Sequence, residues 1–304
     1  MPRTSRAALT AALALVAVLL AGCASPLDDA DGDVPRQDVL TGLAVDPALT
    51  ALVPPAVRQS GVLTVGAAIG GQPPTAFYLA DNVTAVGQDV DMTEAVARVL
   101  GLRVQRTPAT FDGIVPGLAS GKFDVGTGNF GVTEARKRTV DFVTYINDGQ
   151  GFAVRADDPQ PPVTDLVQLC GRTVSVLAGS TFEASLAKAA PRCAGAGLPP
   201  LEVRSYPDAS TSALALAQRR ADVTMSTING LHYLVDHQPR LRYVNSFRRL
   251  DVGFVLGKNS ALVPAVQAAV DRVMADGAYR RILDKWGTAS SALTASQVNP
   301  PEPA

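Results

Sequence analysis

Between residues 61 and 287 short β-branched runs alternate with helical periods, and that order constrains the fold more than anything else in the chain. Residues 61–66 (GVLTVG) and 102–105 (LRVQ) read as strands. Between them lies a helix over 92–100, with Met92, Val96, Val99 and Leu100 on one face, Asp91 able to cap, Glu94 favouring its first turn and Gly101 stopping it. A helix over 111–120 follows, turning Ile114, Val115 and Leu118 inward. Further strands are predicted over 151–155, 171–176, 201–206, 221–227 and 251–256, and helices from 180 through Lys188 and over 208–219 and 260–275. Tyr279, Ile282, Leu283 and Trp286 form a last core-facing stripe. Strand and helix in turn argue for a mainly parallel α/β sheet. The polar, Pro-rich stretch 157–162 marks an exit from a first lobe.

The stretch 122–148 (KFDVGTGNFGVTEARKRTVDFVTYIND) carries the chemistry. A loop of small residues over 126–131, including Asn129 and Gly131, lets a ligand approach the backbone and its N–H groups. Thr133 offers a hydroxyl and a helix cap, with Glu134 behind it. Arg136 offers a planar fork of donors that matches a carboxylate. Together they suit a small acid; the bland alternative is that Arg136, Lys137 and Arg138 line a solvated helix face.

The compartment is read from the N-terminus. Arg3 and Arg6 precede an apolar run over 7–21 that is too short to span a bilayer, which takes roughly 20 residues. It reads as a signal peptide over 1–22. The ending Leu20-Ala21-Gly22-Cys23 resembles a bacterial lipobox, which implies acylation of Cys23 and anchoring on the outer face of the cell membrane. Loss of Arg3 and Arg6 leaves 25 basic against 28 acidic side chains, which gives no support for nucleic-acid binding. Cys170 and Cys193 then remain, and outside the cytoplasm such a pair is expected as a disulfide. Two buried thiols or a metal site are the alternatives, and His232 and His237 fall off one helical face. Residues 23–59 read as a flexible tether ending in a short helix, and 288–304 as a polar tail.

Thr133, Arg136, Val140-Asp141-Phe142 and Tyr145 resemble the signature of family 3 bacterial extracellular solute-binding proteins, the amino-acid receptors of ABC importers. The closing Asp276-Gly277…Trp286-Gly287 resembles that family's end. The resemblance implies a periplasmic-binding-protein-like type II fold: two α/β lobes joined by a two-strand hinge, lobe 1 over 60–154 and 251–287, lobe 2 over 155–250. It implies a monomer without cofactor, metal or catalytic residues that captures a small carboxylate-bearing solute, glutamate- or glutamine-like, and delivers it to a permease and ATPase. Arg136 and Thr133 would hold the carboxylate from lobe 1 and Ser180 and Thr181 from lobe 2, while Phe77 either stacks on the ligand or is a plain core aromatic. One departure stands out. Thr227 occupies the place where amino-acid receptors often put an Asp for the α-ammonium, so that Asp148 or Asn129 must serve or the ligand is not an ordinary α-amino acid. A dehydratase-like enzyme on the same fold, or a sensor lipoprotein without a transporter, are the competing readings.

Overall fold

The computed structural model describes residues 34–71 and 73–303, so the signal peptide, Cys23 and the first part of the expected tether lie outside the described residues. In chain order the elements are α1 (Pro47–Thr50), α2 (Pro55–Ser60), β1 (Val62–Ala67), β2 (Phe77–Tyr78), β3 (Ala85–Val86), α3 (Gln88–Val99), β4 (Arg103–Pro108), α4 (Phe111–Ala119) and β5 (Val125–Gly131). Then come α5 (Glu134–Lys137), β6 (Val140–Arg155), β7 (Thr173–Leu177), α6 (Thr181–Gly195), β8 (Glu202–Tyr206), α7 (Ala209–Ala217), β9 (Val223–Thr227), α8 (Ile228–His237), β10 (Leu241–Gly257), α9 (Val263–Ala275) and α10 (Ala278–Lys285).

Eight strands form one sheet in the order β4-β1-β5-β10-β6-β9-β7-β8. β1 pairs in parallel with β4 and β5, and β7 in parallel with β8 and β9. The antiparallel pair β6 and β10 runs the length of both halves, from Leu241 opposite Arg155 to Gly257 opposite Val140. One end of the pair joins β5 through Val252–Leu256, and the other joins β9 through Gln150–Val154. These two strands are the hinge, and each half packs its own apolar clusters. Because Gln150–Val154 already pair with β9, the passage between lobes lies nearer Gly149 than the 154/155 boundary expected from the Pro-rich stretch.

Three expectations change. The small-residue loop over 126–131 is instead part of strand β5, held between β1 and β10. Its glycines answer to crowding: a Cβ on Gly126 would stand 2.4 Å from Ile114 Cγ2, and one on Gly128 would stand 2.8 Å from Ala68 Cβ. The tether is ordered from Val39 onwards. Val39, Leu43 and Val53 are buried with α3, α9 and α10, and Asp46 both caps α1 and pairs with Arg272 at 2.6 Å. The C-terminal tail is a strap along β6. Val298 bridges Val143, Ala292 bridges Ile146, and Asn299 Nδ2 donates to Asp141 Oδ1 at 2.9 Å. In each case apolar or hydrogen-bonding groups too sparse to show a period find partners far away in the chain.

Cys170 and Cys193 form a disulfide with Cα atoms 5.6 Å apart, tying the turn over Leu166–Leu169 to α6. Among the described residues no helix is long and apolar enough to cross a membrane, and no His, Cys, Asp or Glu cluster suits a metal ion.

Candidate functional site

The carboxyl ends of the parallel strands of both lobes face one another, which is where ligands bind in open α/β sheets. A cavity of about 380 Å³ lies there. Lobe 1 contributes Ile69 after β1, Phe111 at the start of α4 and Asn129 on β5; lobe 2 contributes Phe182 at the start of α6, Asp208 after β8 and Thr227 at the end of β9. The lobes meet across it. Ser210 Oγ donates to Gly71 O at 3.2 Å, Asn229 N donates to Asp148 Oδ1 at 3.2 Å, and Leu177 packs on a lobe 1 core. The structure is therefore the shut form.

Arg136 sits at the rim, off the cavity wall. Its Nη1 donates to Gly131 O at 3.1 Å and its Nη2 crosses to Gly179 O of lobe 2 at 3.0 Å. The guanidinium lies over the rings of Phe111 and Phe130, which stack at 4.1 Å. The residue is half-buried as a whole, yet desolvation of the guanidinium lowers its pKa to about 10, with the Glu302 charge opposing. No carboxylate of the described residues lies within ion-pair distance of it.

Beneath the floor are two carboxylates. Asp89 Oδ1 accepts from Tyr145 Oη at 2.7 Å and Oδ2 from Asn129 N at 3.0 Å. Burial raises its pKa from 3.8 to about 6, against those hydrogen bonds and with the Asp148 charge adding to the rise. Asp148 is also raised, again by burial, although its oxygens accept from Gly149 N, Asn229 N and Asn129 Nδ2. Neither acid has a cation within ion-pair distance among the described residues. Asn129 thus touches both acids, and its Oδ1 is buried without a partner.

The remaining sequence-derived candidates divide. Asn129 and Thr227 line the cavity. Thr133, Ser180 and Thr227 each cap a helix, accepting from Arg136 N, Glu183 N and Gly230 N. In the lobe 2 turn, Gly179 N donates to Glu183 Oε2, Ser180 N to Leu177 O, Glu183 N to Ser180 Oγ and Ala184 N to Ser180 O, leaving the N–H groups of Thr181 and Phe182. Gly131 gives its carbonyl to Arg136, and a Cβ on it would stand 2.9 Å from Leu250 Cδ1. Phe77 is not a wall residue. It is partly buried against the lobe 1 core and meets Trp286 edge-on at 5.9 Å.

The profile of the bacterial extracellular solute-binding proteins, family 3, matches residues 63–289. The chain belongs to this family. Over 303 residues it is 29% identical to the arginine-binding protein ArgT of Corynebacterium glutamicum, covering 98% of this chain and 97% of that protein. Among solved structures, an ancestral arginine-binding protein bound to arginine superposes with a TM-score of 0.67 at 31% identity, over 74% of this chain and 98% of the other. An ancestral amino acid-binding protein, precursor of a cyclohexadienyl dehydratase, superposes with a TM-score of 0.65 at 26% identity, over 76% and 97%. The type II two-lobed fold expected from the sequence is thus the fold of the family.

Sequence reasoning missed several residues of this family 3 cavity. Phe111 and Asp208 read only as the first residues of helices over 111–120 and 208–219, and Phe182 fell unremarked inside the helix from 180. The usable signal was position: each opens the helix that comes after a strand, at the carboxyl edge where cavities of such sheets form.

Proposed function

We propose that the chain is the extracytoplasmic binding component of an amino-acid ABC importer, a monomeric lipoprotein held to the membrane through Cys23 that hands its ligand to a permease and ATPase. The observation that carries this reading is a charge pattern. A desolvated guanidinium, Arg136, lacks an anion at one side of the cavity, while two buried carboxylates, Asp89 and Asp148, lack a cation beneath Asn129. Unpaired charge away from water is costly, and a zwitterion supplies both missing partners. Asn129 with Asp148 behind it would then serve the ammonium in place of an acid at position 227.

Contacts from both lobes coexist only in the shut form, so a ligand touching both shifts the population towards closure. The glutamate- or glutamine-like side chain expected from the sequence meets a wall whose one charged group is the Asp208 carboxylate, which disfavours glutamate. Binding without turnover is favoured over a dehydratase-like role because acid–base chemistry needs positioned groups, and Asp208 is the single ionisable side chain among the described wall residues.

Thermal-shift titration with L-amino acids, their 2-oxo acids and their decarboxylated amines tests the reading, since a ligand that binds only the native state raises apparent stability. An L-amino acid should raise the melting temperature while its oxo acid and its amine do not. No shift with any amino acid, or equal shifts with the oxo acid, would refute it.

A further inference from the structure

Asp208 offers the cavity a negative charge that no described residue neutralises. It lines the wall, and no Lys, Arg or His of the described residues lies within ion-pair distance of it. Its orientation is set locally. As the N-cap of α7 it accepts from Thr211 N at 2.7 Å through Oδ1 and from Thr211 Oγ1 at 2.9 Å through Oδ2. An ionised carboxylate has about four acceptor sites, so both oxygens keep capacity after this. The group also stands in the closing seam. A Cβ on Gly70 of lobe 1 would be 3.6 Å from Asp208 Cβ, and Ser210, two positions on, donates to Gly71 O.

The rest of the wall suits an aliphatic stem. Ile69 and Phe111 from lobe 1 and Leu177, Phe182 and Pro207 from lobe 2 are apolar. Long cationic side chains bury their methylenes along such surfaces while the head seeks polar partners, and a cation gains from nearby ring faces. An acidic side chain would bring like charge to Asp208, and a short neutral one would leave that carboxylate uncompensated in the shut cleft.

We propose that the cavity selects an amino acid with a long cationic side chain, of the arginine or lysine type, and that Asp208 is the residue that accepts its charged head. The proposal rests on the amino-acid reading above and adds the side-chain class to it.

The test is isothermal titration calorimetry of the whole chain with L-arginine, L-lysine, L-citrulline, L-glutamine and L-glutamate. Citrulline has nearly the shape of arginine without its charge. Arginine or lysine should bind roughly tenfold or more tighter than citrulline, with glutamate weakest. Asp208→Asn keeps the helix cap, because Asn caps about as well as Asp. It should bring arginine to within about threefold of citrulline, and glutamine should bind no more weakly than to the unaltered chain. The ratio of two ligands within one variant is independent of how much of it is folded. Glutamate or citrulline matching arginine in the unaltered chain would overturn the cationic selectivity, and a ratio that survives Asp208→Asn would overturn the assignment of Asp208; either result leaves the amino-acid reading standing. Failure of every amino acid to bind would overturn the amino-acid reading beneath it as well.

Discussion

Arg136 of lobe 1 and Gly179 of lobe 2 are joined by one hydrogen bond, Nη2 to the carbonyl oxygen at 3.0 Å. A single side chain therefore combines two tasks, closing the rim and placing positive charge beside the cavity. Two carbonyls occupy two of its five N–H groups, so donors remain for a ligand anion.

Arg136→Ala should for that reason weaken ligand binding by more than about 2 kcal/mol, since both the charge and the cross-lobe bond disappear. Arg136→Lys should lose less, because the charge survives without the fork. Calorimetry on both variants checks this, and an unchanged affinity in Arg136→Ala would show that the residue only latches the lobes.

The buried acid Asp89 makes stability depend on pH. Its pKa is about 6 in the folded protein against an ordinary 3.8. A raised carboxyl favours the protonated form on folding, so its contribution is present below about pH 4 and is lost as pH rises through 6, a change of roughly 3 kcal/mol. Across pH 4 to 7 the unaltered chain should lose stability relative to Asp89→Asn by that order, read from denaturant midpoints. A difference between the two proteins that stays constant with pH would contradict it.

The Cys170–Cys193 bond closes a loop with a sequence separation of 23. On the chain-entropy account such a loop is worth roughly 3 kcal/mol. Replacing both cysteines by Ser should lower the melting temperature by several degrees and leave ligand affinity nearly unchanged, because neither residue lines the cavity. Denaturation and calorimetry on the double variant separate the two effects.

The C-terminal strap should also carry measurable stability. Ser296 Oγ donates to Thr144 O at 2.8 Å, Lys137 Nζ to Pro300 O at 3.0 Å, and Arg248 pairs with Glu302 at 2.9 Å. Ending the chain at Gly287 uncovers Val143 and Ile146 and strands these groups, which should cost about 2 kcal/mol or more. A melting temperature within a degree of the full chain would show that the strap is only laid on the surface.

How far the chain could be read depended on the range over which each signal acts. Strand β1, helices α4 and α9 and the stripe through Trp286 were legible because their periods repeat within a few residues; α3 was legible by its period but begins at Gln88, so that Asp91, expected as its cap, lies inside it and accepts from Trp286 Nε1. Strand β5 was not, since Gly126, Gly128 and Asn129 carry no strand preference; it is a strand because β1 and β10 flank it. Nor was the first half of β10, the polar run over 241–250, which β6 holds in place.

The sequence by itself determined the alternation of strand and helix, the two-lobed family and the chemistry of an Arg beside a capped turn. The tertiary structure decided that Arg136 reaches Gly179, that Asp89 and Asp148 share Asn129, and that Phe111, Phe182 and Asp208 face one cavity. Periodicity and capping are set by near neighbours along the chain. Which charges are left without partners depends on pairs far apart in sequence, and those meet only when the long hinge strands bring the two lobes together.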